Sequence, residues 1–466
     1  MAQLVGGILW LNFVFVLVGY CGLSAFLRGR SAAGWASFAA VALFVGAGLV
    51  GLALSFLVVI GLRSSLPVFG ATAGVLAALG LAAGVMRPRS ITRTASGARD
   101  GKIASEAERW LAAASGGAIV AMCCVVLVAG FRSSPWLDDA WTFYLPKGIE
   151  LSRAGLDQRL FVPNSDFAAF TGPDRPLWWS VIGGLDISAV GHIDLRAING
   201  QMAVLYVAFA AAVTRLLWVH VRRAILLPAV LLALAAPELT AHTQSGGADL
   251  PLAFFLALGL LAASLWLTGP EPLLFFVFVV CTATALNTKN EATILVVGFV
   301  LVGACFAWAR TGRRYLILIG GAALGFATLA PWLAWTRLHG VSNAALGLSE
   351  LDPVHLWHTR DRAEPALRAV THQMLEPRRW FGAIPLLIGA SLAVALRERR
   401  LAWLGPPVMV GVGLALLVWI YWAGSVELTF WLDTSAYRVV DSVMLATAVA
   451  LPLVVERLVR SGSAAR

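Results

Sequence analysis

Charged side chains are scarce in this sequence. They make up 13% of its 466 residues, whereas soluble domains carry roughly 25%. Hydrophobic residues account for 59% of the chain, and its mean hydropathy is +0.81. A single water-soluble core cannot hide that much apolar surface. The composition excludes a soluble enzyme, a disordered chain and a secreted disulfide scaffold.

The sequence also lacks the patterns that mark several common sites. All five cysteines fall inside apolar runs, which is not the arrangement of a disulfide framework or a zinc site. No G-x-G-x-x-G follows a predicted strand, and there is no Walker A lysine motif. We therefore expect no nucleotide cofactor. The formal charge of +10 could indicate an anionic partner such as nucleic acid, and the location of the charges decides this question.

Long apolar runs fill most of the chain. A helix that crosses a bilayer needs roughly 20 mostly apolar residues, because no water is present there to satisfy an open backbone. The sequence therefore predicts an all-α, polytopic membrane protein with about thirteen transmembrane helices. The additional stretch 177–190 could be a re-entrant or interfacial piece instead of a full span. The predicted spans are 4–27, 35–61, 66–86, 111–131, 198–217, 224–237, 250–267, 272–287, 292–309, 315–336, 381–396, 402–422 and 438–456.

Basic residues between these runs indicate the orientation. Their clusters fall on one side when the spans are counted alternately, and short basic loops favour the cytoplasm. This predicts an outside N-terminus and an inside C-terminus. The positive charge then marks orientation and requires no nucleic acid. Because arginine greatly exceeds lysine, as in GC-rich bacterial genomes, we expect a bacterial inner (plasma) membrane.

The same count predicts how the chain is divided. Residues 1–110 form a three-span N-terminal addition with a basic cytoplasmic loop. Residues 111–456 form the main transmembrane module, with amphipathic helices in its outside loops, 132–197 and 337–380. Residues 457–466 form a cytoplasmic tail. Most of the unusual chemistry lies in the outside segments.

An acidic pair, Asp138 and Asp139, follows the fourth predicted span and precedes Tyr144 and Lys147. Two adjacent carboxylates at a membrane surface are unfavourable unless they meet a cation, a metal or a proton-transfer task. Asp138 could instead cap the short helix that follows. Both interpretations remain open from the residues alone.

Further ionisable residues stand at the outer ends of later spans. Asp249 precedes Pro251 in a sequence that is also ordinary for a helix start. Lys289 and Glu291 lie in a polar turn, where they could be a snorkelling pair or could hold a lipid-linked phosphate. Arg438 precedes the last span and suits bidentate phosphate contacts.

In this order the motifs resemble those of the GT-C glycosyltransferases, which include protein O-mannosyltransferases and lipid A aminoarabinose transferases. The resemblance covers roughly residues 111–456. This chain has Asp-Asp where the family often has Asp-Glu, and three further spans precede the acidic loop. The segments that carry the resemblance are Asp138–Asp139, Tyr144–Lys147, Asp174–Trp178, Asp249–Ala253, Thr288–Glu291 and Ser435–Arg438.

The resemblance implies a GT-C-like catalytic module that moves a sugar from a polyprenyl-phosphate donor to a glycan, lipid or protein acceptor, with inversion, on the extracytoplasmic face. A general base would remove the acceptor proton while the donor phosphate leaves. The implied base is Asp139 or Asp138. The implied phosphate-binding residues are Lys147, Arg175, Lys289 and Arg438, and the implied substrate contacts are Tyr144, Asp249 and Glu291. His242 is a further candidate substrate contact because of its position between Glu238 and Asp249.

A divalent metal, Mg²⁺ or Mn²⁺, is a further expectation, with His355 and His358 as the candidate ligands. Histidines in such loops are more often plain surface residues. Two other functions remain open. An O-antigen polymerase or ligase would rely on the arginines and histidines of the loop 337–380. A multi-span transporter would use charges within the spans.

Overall fold

The computed structural model describes residues 1–27, 31–86, 105–156, 172–341 and 352–463. In these ranges the chain is helical and contains no strand. The α-helices are α1 (Ala2–Leu27), α2 (Ala32–Ala36), α3 (Ala39–Val59), α4 (Leu66–Met86), α5 (Glu106–Arg132), α6 (Leu145–Arg153), α7 (Trp178–Val190), α8 (Arg196–Leu217), α9 (Arg223–Leu234), α10 (Pro237–His242), α11 (Asp249–Thr268), α12 (Pro272–Leu286), α13 (Glu291–Thr311), α14 (Arg313–Leu338), α15 (Pro353–His358), α16 (Ala363–Leu375), α17 (Pro377–Trp380), α18 (Ala383–Glu398), α19 (Gly405–Ala423), α20 (Leu428–Val439) and α21 (Asp441–Ser463).

The chain folds as a helical membrane protein. Within the described ranges, nine helices are long and apolar enough to cross a membrane, and α9, α12 and the part Glu291–Phe306 of α13 are shorter apolar segments. The remaining predicted span, 381–396, corresponds to α18, which has 16 residues. Every predicted span thus overlaps a helix, while the number that cross the bilayer stays a prediction. The nine helices are Ala2–Leu27, Ala39–Val59, Leu66–Met86, Glu106–Arg132, Arg196–Leu217, Asp249–Thr268, Arg313–Leu338, Leu401–Ala423 and Leu428–Gly462.

Local sequence explains several of the helix ends. At the start of α5, Ser105 Oγ accepts from the Glu108 backbone N–H, and the Glu108 carboxylate accepts from that of Ser105. This reciprocal capping satisfies two backbone donors that a helix start leaves open. Helices α10 and α12 begin with Pro237 and Pro272, whose fixed φ angle suits a first turn.

Close packing joins the first helices to the rest of the chain. A Cβ atom at Gly46 of α3 would collide with the Phe15 carbonyl of α1, so these two backbones approach closely. Helix α1 also contacts α7 and α8, and a buried pair of amides, Asn12 and Gln201, connects α1 to α8 with bonds of 2.7 and 3.0 Å. The three-span division at residue 110 remains a prediction about organisation.

The start of α7 joins two turns that carry ionisable residues. The Trp178 backbone N–H donates to the Asn287 carbonyl over 3.0 Å, and the Trp179 indole N–H donates to the Gly246 carbonyl over 2.9 Å. Both indole rings are fully buried. These bonds fix the turn before α13 and the turn before α11 relative to one another.

Candidate functional site

Six ionisable residues from five distant segments meet in an ionic cluster at the start of α11. Asp249 is the first residue of that helix, Lys289 lies in the turn between α12 and α13, and Glu291 is the first residue of α13. Arg438 is near the end of α20, and Arg175 lies in the loop before α7. Asp139 precedes the single π-helical turn that leads into α6. We call Asp139, Arg175, Asp249, Lys289, Glu291 and Arg438 the ionic cluster.

The buried half of the ionic cluster is centred on Asp249. One carboxylate oxygen of Asp249 lies 2.7 Å from Lys289 Nζ, and the other lies 3.1 Å from Arg438 Nη1. All three side chains are less than a tenth exposed. In addition, the carboxylate lies at a helix start, where the macrodipole favours negative charge. Asp249 thus orients two cations in a dry environment.

The accessible edge of the ionic cluster is formed by Asp139, whose side chain is 20% exposed. Its Oδ2 atom accepts from Arg438 Nη1 at 3.0 Å and from Arg175 Nη1 at 3.4 Å. Burial alone would raise the pKa of Asp139, but the two guanidinium groups outweigh burial and leave its pKa below the usual value. The carboxylate is therefore ionised and is shared by two arginines.

Arg175 is held by aromatic rings as well as by Asp139. Its guanidinium carbon lies 3.7 Å from the Phe143 ring centre, and Nη1 donates to the Tyr144 hydroxyl over 3.3 Å. Burial opposes the charge of Arg175, yet the neighbouring Tyr144 and Asp139 raise its pKa. Burial also raises the pKa of Tyr144, so that its phenol stays protonated.

Lys147 supports the loop that carries Arg175. Its ammonium donates to the Gly172 carbonyl over 2.7 Å and to the Arg175 carbonyl over 3.1 Å, beneath the Trp332 ring. Burial lowers the pKa of Lys147 to about 7. The structure therefore places this predicted phosphate ligand against backbone carbonyls and outside the ionic cluster.

The turn before α13 is held on both sides. Lys289 pairs with Glu291 at 3.2 Å in addition to Asp249, and Asn290 donates to the Asp174 carboxylate over 3.3 Å. Burial disfavours the charged form of Lys289, but the two carboxylates raise its pKa. Lys289 is thus a cation at neutral pH, with its head group facing Asp249.

A second buried pair, His242 and Asp441, lies next to the ionic cluster. His242 Nδ1 is 2.6 Å from Asp441 Oδ2, and Nε2 is 3.9 Å from Glu238, which pairs with Arg379 at 2.7 Å. Burial alone would lower the pKa of His242, and Asp441 raises it above the usual value. His242 was predicted from the sequence, whereas Asp441 was not. The available signal was a carboxylate inside a predicted span.

Three other predicted residues lie outside this cluster. The Asp138 side chain is exposed, and the N-cap position of the π-helical turn is occupied by Asp139, whose side chain makes no capping hydrogen bond. His355 Nε2 lies 2.9 Å from the Ala423 carbonyl, and His358 is on the same short helix. Within the described residues, no group of three or more His, Cys, Asp or Glu side chains is arranged to hold a metal ion.

Fold and site together define a helical, polytopic membrane protein with a partly accessible cluster of three cations and three carboxylates. No protein-family model matches the chain, and comparisons with characterised proteins and with solved structures find no match. The arrangement can bind an anionic oxygen group between Arg175 and Arg438. It also presents an ionised carboxylate to a proton donor at the same place.

Proposed function

We propose that this protein is a glycosyltransferase that takes a sugar from a polyprenyl-phosphate donor on the extracytoplasmic face of the membrane. The observation that carries this proposal is the position of Asp139 between Arg175 and Arg438. Two arginines that share one partly accessible carboxylate can exchange it for a donor phosphate. Lys289 behind them adds positive charge and keeps Asp249 neutralised.

The proposed reaction needs no nucleotide-binding domain. The acceptor hydroxyl or amine attacks the anomeric carbon, and the bond from that carbon to the phosphate oxygen breaks. The polyprenyl phosphate leaves with the electron pair, while the acceptor proton passes to Asp139. Arginine contacts to the leaving phosphate stabilise the charge that develops.

Phosphate binding would also activate the base. In the resting site the two arginines lower the pKa of Asp139, which makes it a weak base. When they turn to the phosphate, Asp139 loses their hydrogen bonds and gains an anionic neighbour. Both changes raise its pKa. Base strength therefore increases only when the donor is in place.

Binding of polyprenyl phosphate, the part that all such donors share, tests the phosphate site. Arg438→Gln and Arg175→Gln should each weaken binding about tenfold or more, because a hydrogen bond to a charged group contributes about 1.5–3 kcal/mol. Arg368→Gln is the matched control, since Arg368 pairs on the surface with Glu364. If the folded wild-type protein does not bind polyprenyl phosphate, the proposal is wrong.

The neighbouring aspartates test the base. Asp139→Asn should slow sugar transfer by about 10²–10⁴-fold, yet bind polyprenyl phosphate at least as tightly, because it no longer competes for the arginines. Asp138→Asn should keep near-normal rates, since its side chain lies outside the ionic cluster. Transfer rates and binding are measured on the same preparations. Full activity of Asp139→Asn would contradict this assignment.

One observation favours the rival transporter function. Asp186 in α7 is fully buried, and its carboxylate forms no hydrogen bond with any described residue. A buried carboxyl without a partner is a feature of proton-coupled transport. In proteoliposomes, solute movement that Asp186→Asn abolishes and Asp139→Asn preserves would establish transport. If the protein is a glycosyltransferase, its activity should instead be lost in Asp139→Asn and preserved in Asp186→Asn.

A further inference from the structure

A cavity of about 720 Å³ lies toward the ends of the helices opposite the ionic cluster. It is enclosed by the second halves of α11 and α13, by the start of α19, and by most of α21. Its walls are mainly aliphatic and aromatic. Ligand pockets are typically about 300–1,000 Å³, so this space is large enough for a substantial apolar group.

The cavity is nearly as long as the hydrocarbon core of a bilayer is thick. Its lining on α21 begins at Val443 and ends at Arg460, which is about 25 Å along the helix at 1.5 Å per residue. A bilayer core is about 30 Å thick. A ligand that fills this cavity must therefore be long and apolar, with one end near Arg460.

The rim is basic. Arg314, Arg457 and Arg460 line this end together with His220. Arg314 is exposed, and no carboxylate of the described residues pairs with it. Trp403 stands beside Arg457, with the guanidinium carbon 5.9 Å from its ring centre. An indole next to arginines is typical of a lipid headgroup level.

The carboxylates at the rim do not cancel its charge. Glu456 accepts from Arg460 Nε over 2.7 Å and from Arg222 Nε over 3.2 Å, so two arginines share it. Glu398 accepts from Arg457 and from the Trp403 indole. Arg222 also lies 3.8 Å from Glu108, but among the residues that line the cavity three arginines, Arg314, Arg457 and Arg460, face one carboxylate, Glu456. The surplus positive charge complements an anionic head group.

We propose that this cavity binds an anionic glycerophospholipid, with its acyl chains between α11, α13, α19 and α21 and its phosphate at Arg314 and Arg457. Basic pockets between transmembrane helices at the cytoplasmic side are known to hold anionic head groups. The site is separate from the ionic cluster and does not depend on the proposed sugar transfer. The bound lipid would come from the leaflet on the side away from the ionic cluster, and it would remain attached to the folded protein.

Delipidated full-length protein tests the proposal. Phosphatidylglycerol should raise the thermal midpoint and be retained in native mass spectrometry, whereas phosphatidylcholine should do neither. Arg314→Gln should weaken phosphatidylglycerol binding about fivefold, the effect of one arginine near a headgroup. Arg313→Gln, at an exposed neighbour outside the cavity lining, is the matched control.

A second pair of variants tests the apolar part. Ala450→Phe fills this cavity and should abolish retention, while Ala448→Phe, on the same helix, projects into a different groove and should not. Equal binding of both phospholipids, or equal effects within either pair of variants, would overturn the proposal. Preferential binding of polyprenyl phosphate that Arg314→Gln weakens would overturn it too, since the cavity would then belong to another lipid.

Discussion

At the scale of single residues, chain neighbours have different surroundings. Asp138 and Asp139 have the same side chain, but only Asp139 reaches Arg175 and Arg438. The π-helical turn that begins at Ala140 sets which of the two faces inward. A sequence contains no direct signal for such a turn. The acidic pair was therefore predictable, and the choice between its members was not.

The same limit explains two other outcomes. Asp249, Lys289 and Arg438 could be named beforehand because ionisable residues at span ends stand out against an apolar background. Arg175 could be named because the segment Asp174–Trp178 resembles a GT-C motif. Asp441 was missed because it is embedded in an apolar run. The backbone carbonyls that receive the Lys147 ammonium depend on the path of a loop, which residue types do not specify.

The pair of His242 and Asp441 makes a pH-dependent contribution to stability. Because the folded protein raises the pKa of His242, this contribution is complete below the unfolded value near 6.5 and is lost as pH rises through the folded value. Asp441→Asn should destabilise the protein by about 2 kcal/mol at pH 5.5 and by less at pH 9. Unfolding midpoints in detergent at both pH values measure this difference.

A second variant, His242→Gln, serves as the control, because other charges also surround His242. Glu238, Asp249 and Arg379 also lie near the pair, and all three remain in Asp441→Asn. His242→Gln should remove the pH dependence and add little to the Asp441→Asn effect at low pH. Equal destabilisation by Asp441→Asn at the two pH values would show that the ion pair does not stabilise the fold.

At the scale of helices, the sequence predicts where the long apolar helices are, but it does not predict which of them contact one another. Hydropathy located all the apolar runs, because each must satisfy its backbone within one helix. The contacts among them depend on where small residues allow close approach. Gly19 and Gly46 bring α1 and α3 together, since a Cβ at either position would collide with a backbone carbonyl of the other helix. Many glycines in this chain have no such role.

Gly46→Ala should separate α1 from α3. The added methyl would collide with the Phe15 carbonyl, and overpacking of this kind destabilises by about 1–3 kcal/mol. The thermal midpoint of the purified protein should fall accordingly. Gly6→Ala is the matched control on α1, because nothing lies within 4 Å of a Cβ at that position. Equal midpoints for the two variants would contradict a tight α1–α3 contact.

At the scale of the whole molecule, the number of crossings determines whether the two termini lie on the same side or on opposite sides of the membrane. Nine described helices satisfy the length and apolarity needed to cross, and four shorter ones account for the rest of the predicted thirteen. A short helix can cross in a thinned bilayer or stop within it. Composition alone does not distinguish these outcomes, so the orientation of each terminus needs a direct measurement.

Thirteen crossings would place the two termini on opposite sides, and the basic loops predict that the C-terminus is in the cytoplasm. A fluorescent protein fused after Arg466 should therefore fluoresce in cells, and an epitope tag before Met1 should be accessible from outside. Two accessible termini, or two protected ones, would require an even number of crossings. That result would mean that one of the shorter helices does not cross the membrane.

The ionic cluster contains three cations and three carboxylates, which five ion pairs connect in one chain from Arg175 to Glu291. Such a site is close to electroneutral before any ligand arrives, so it projects little field beyond a Debye length. The lipid phosphate of the proposed function would then not be drawn in from a distance, and the site would recognise it only after lateral diffusion in the bilayer has delivered it. Capture should accordingly be nearly independent of ionic strength, unlike electrostatically steered binding.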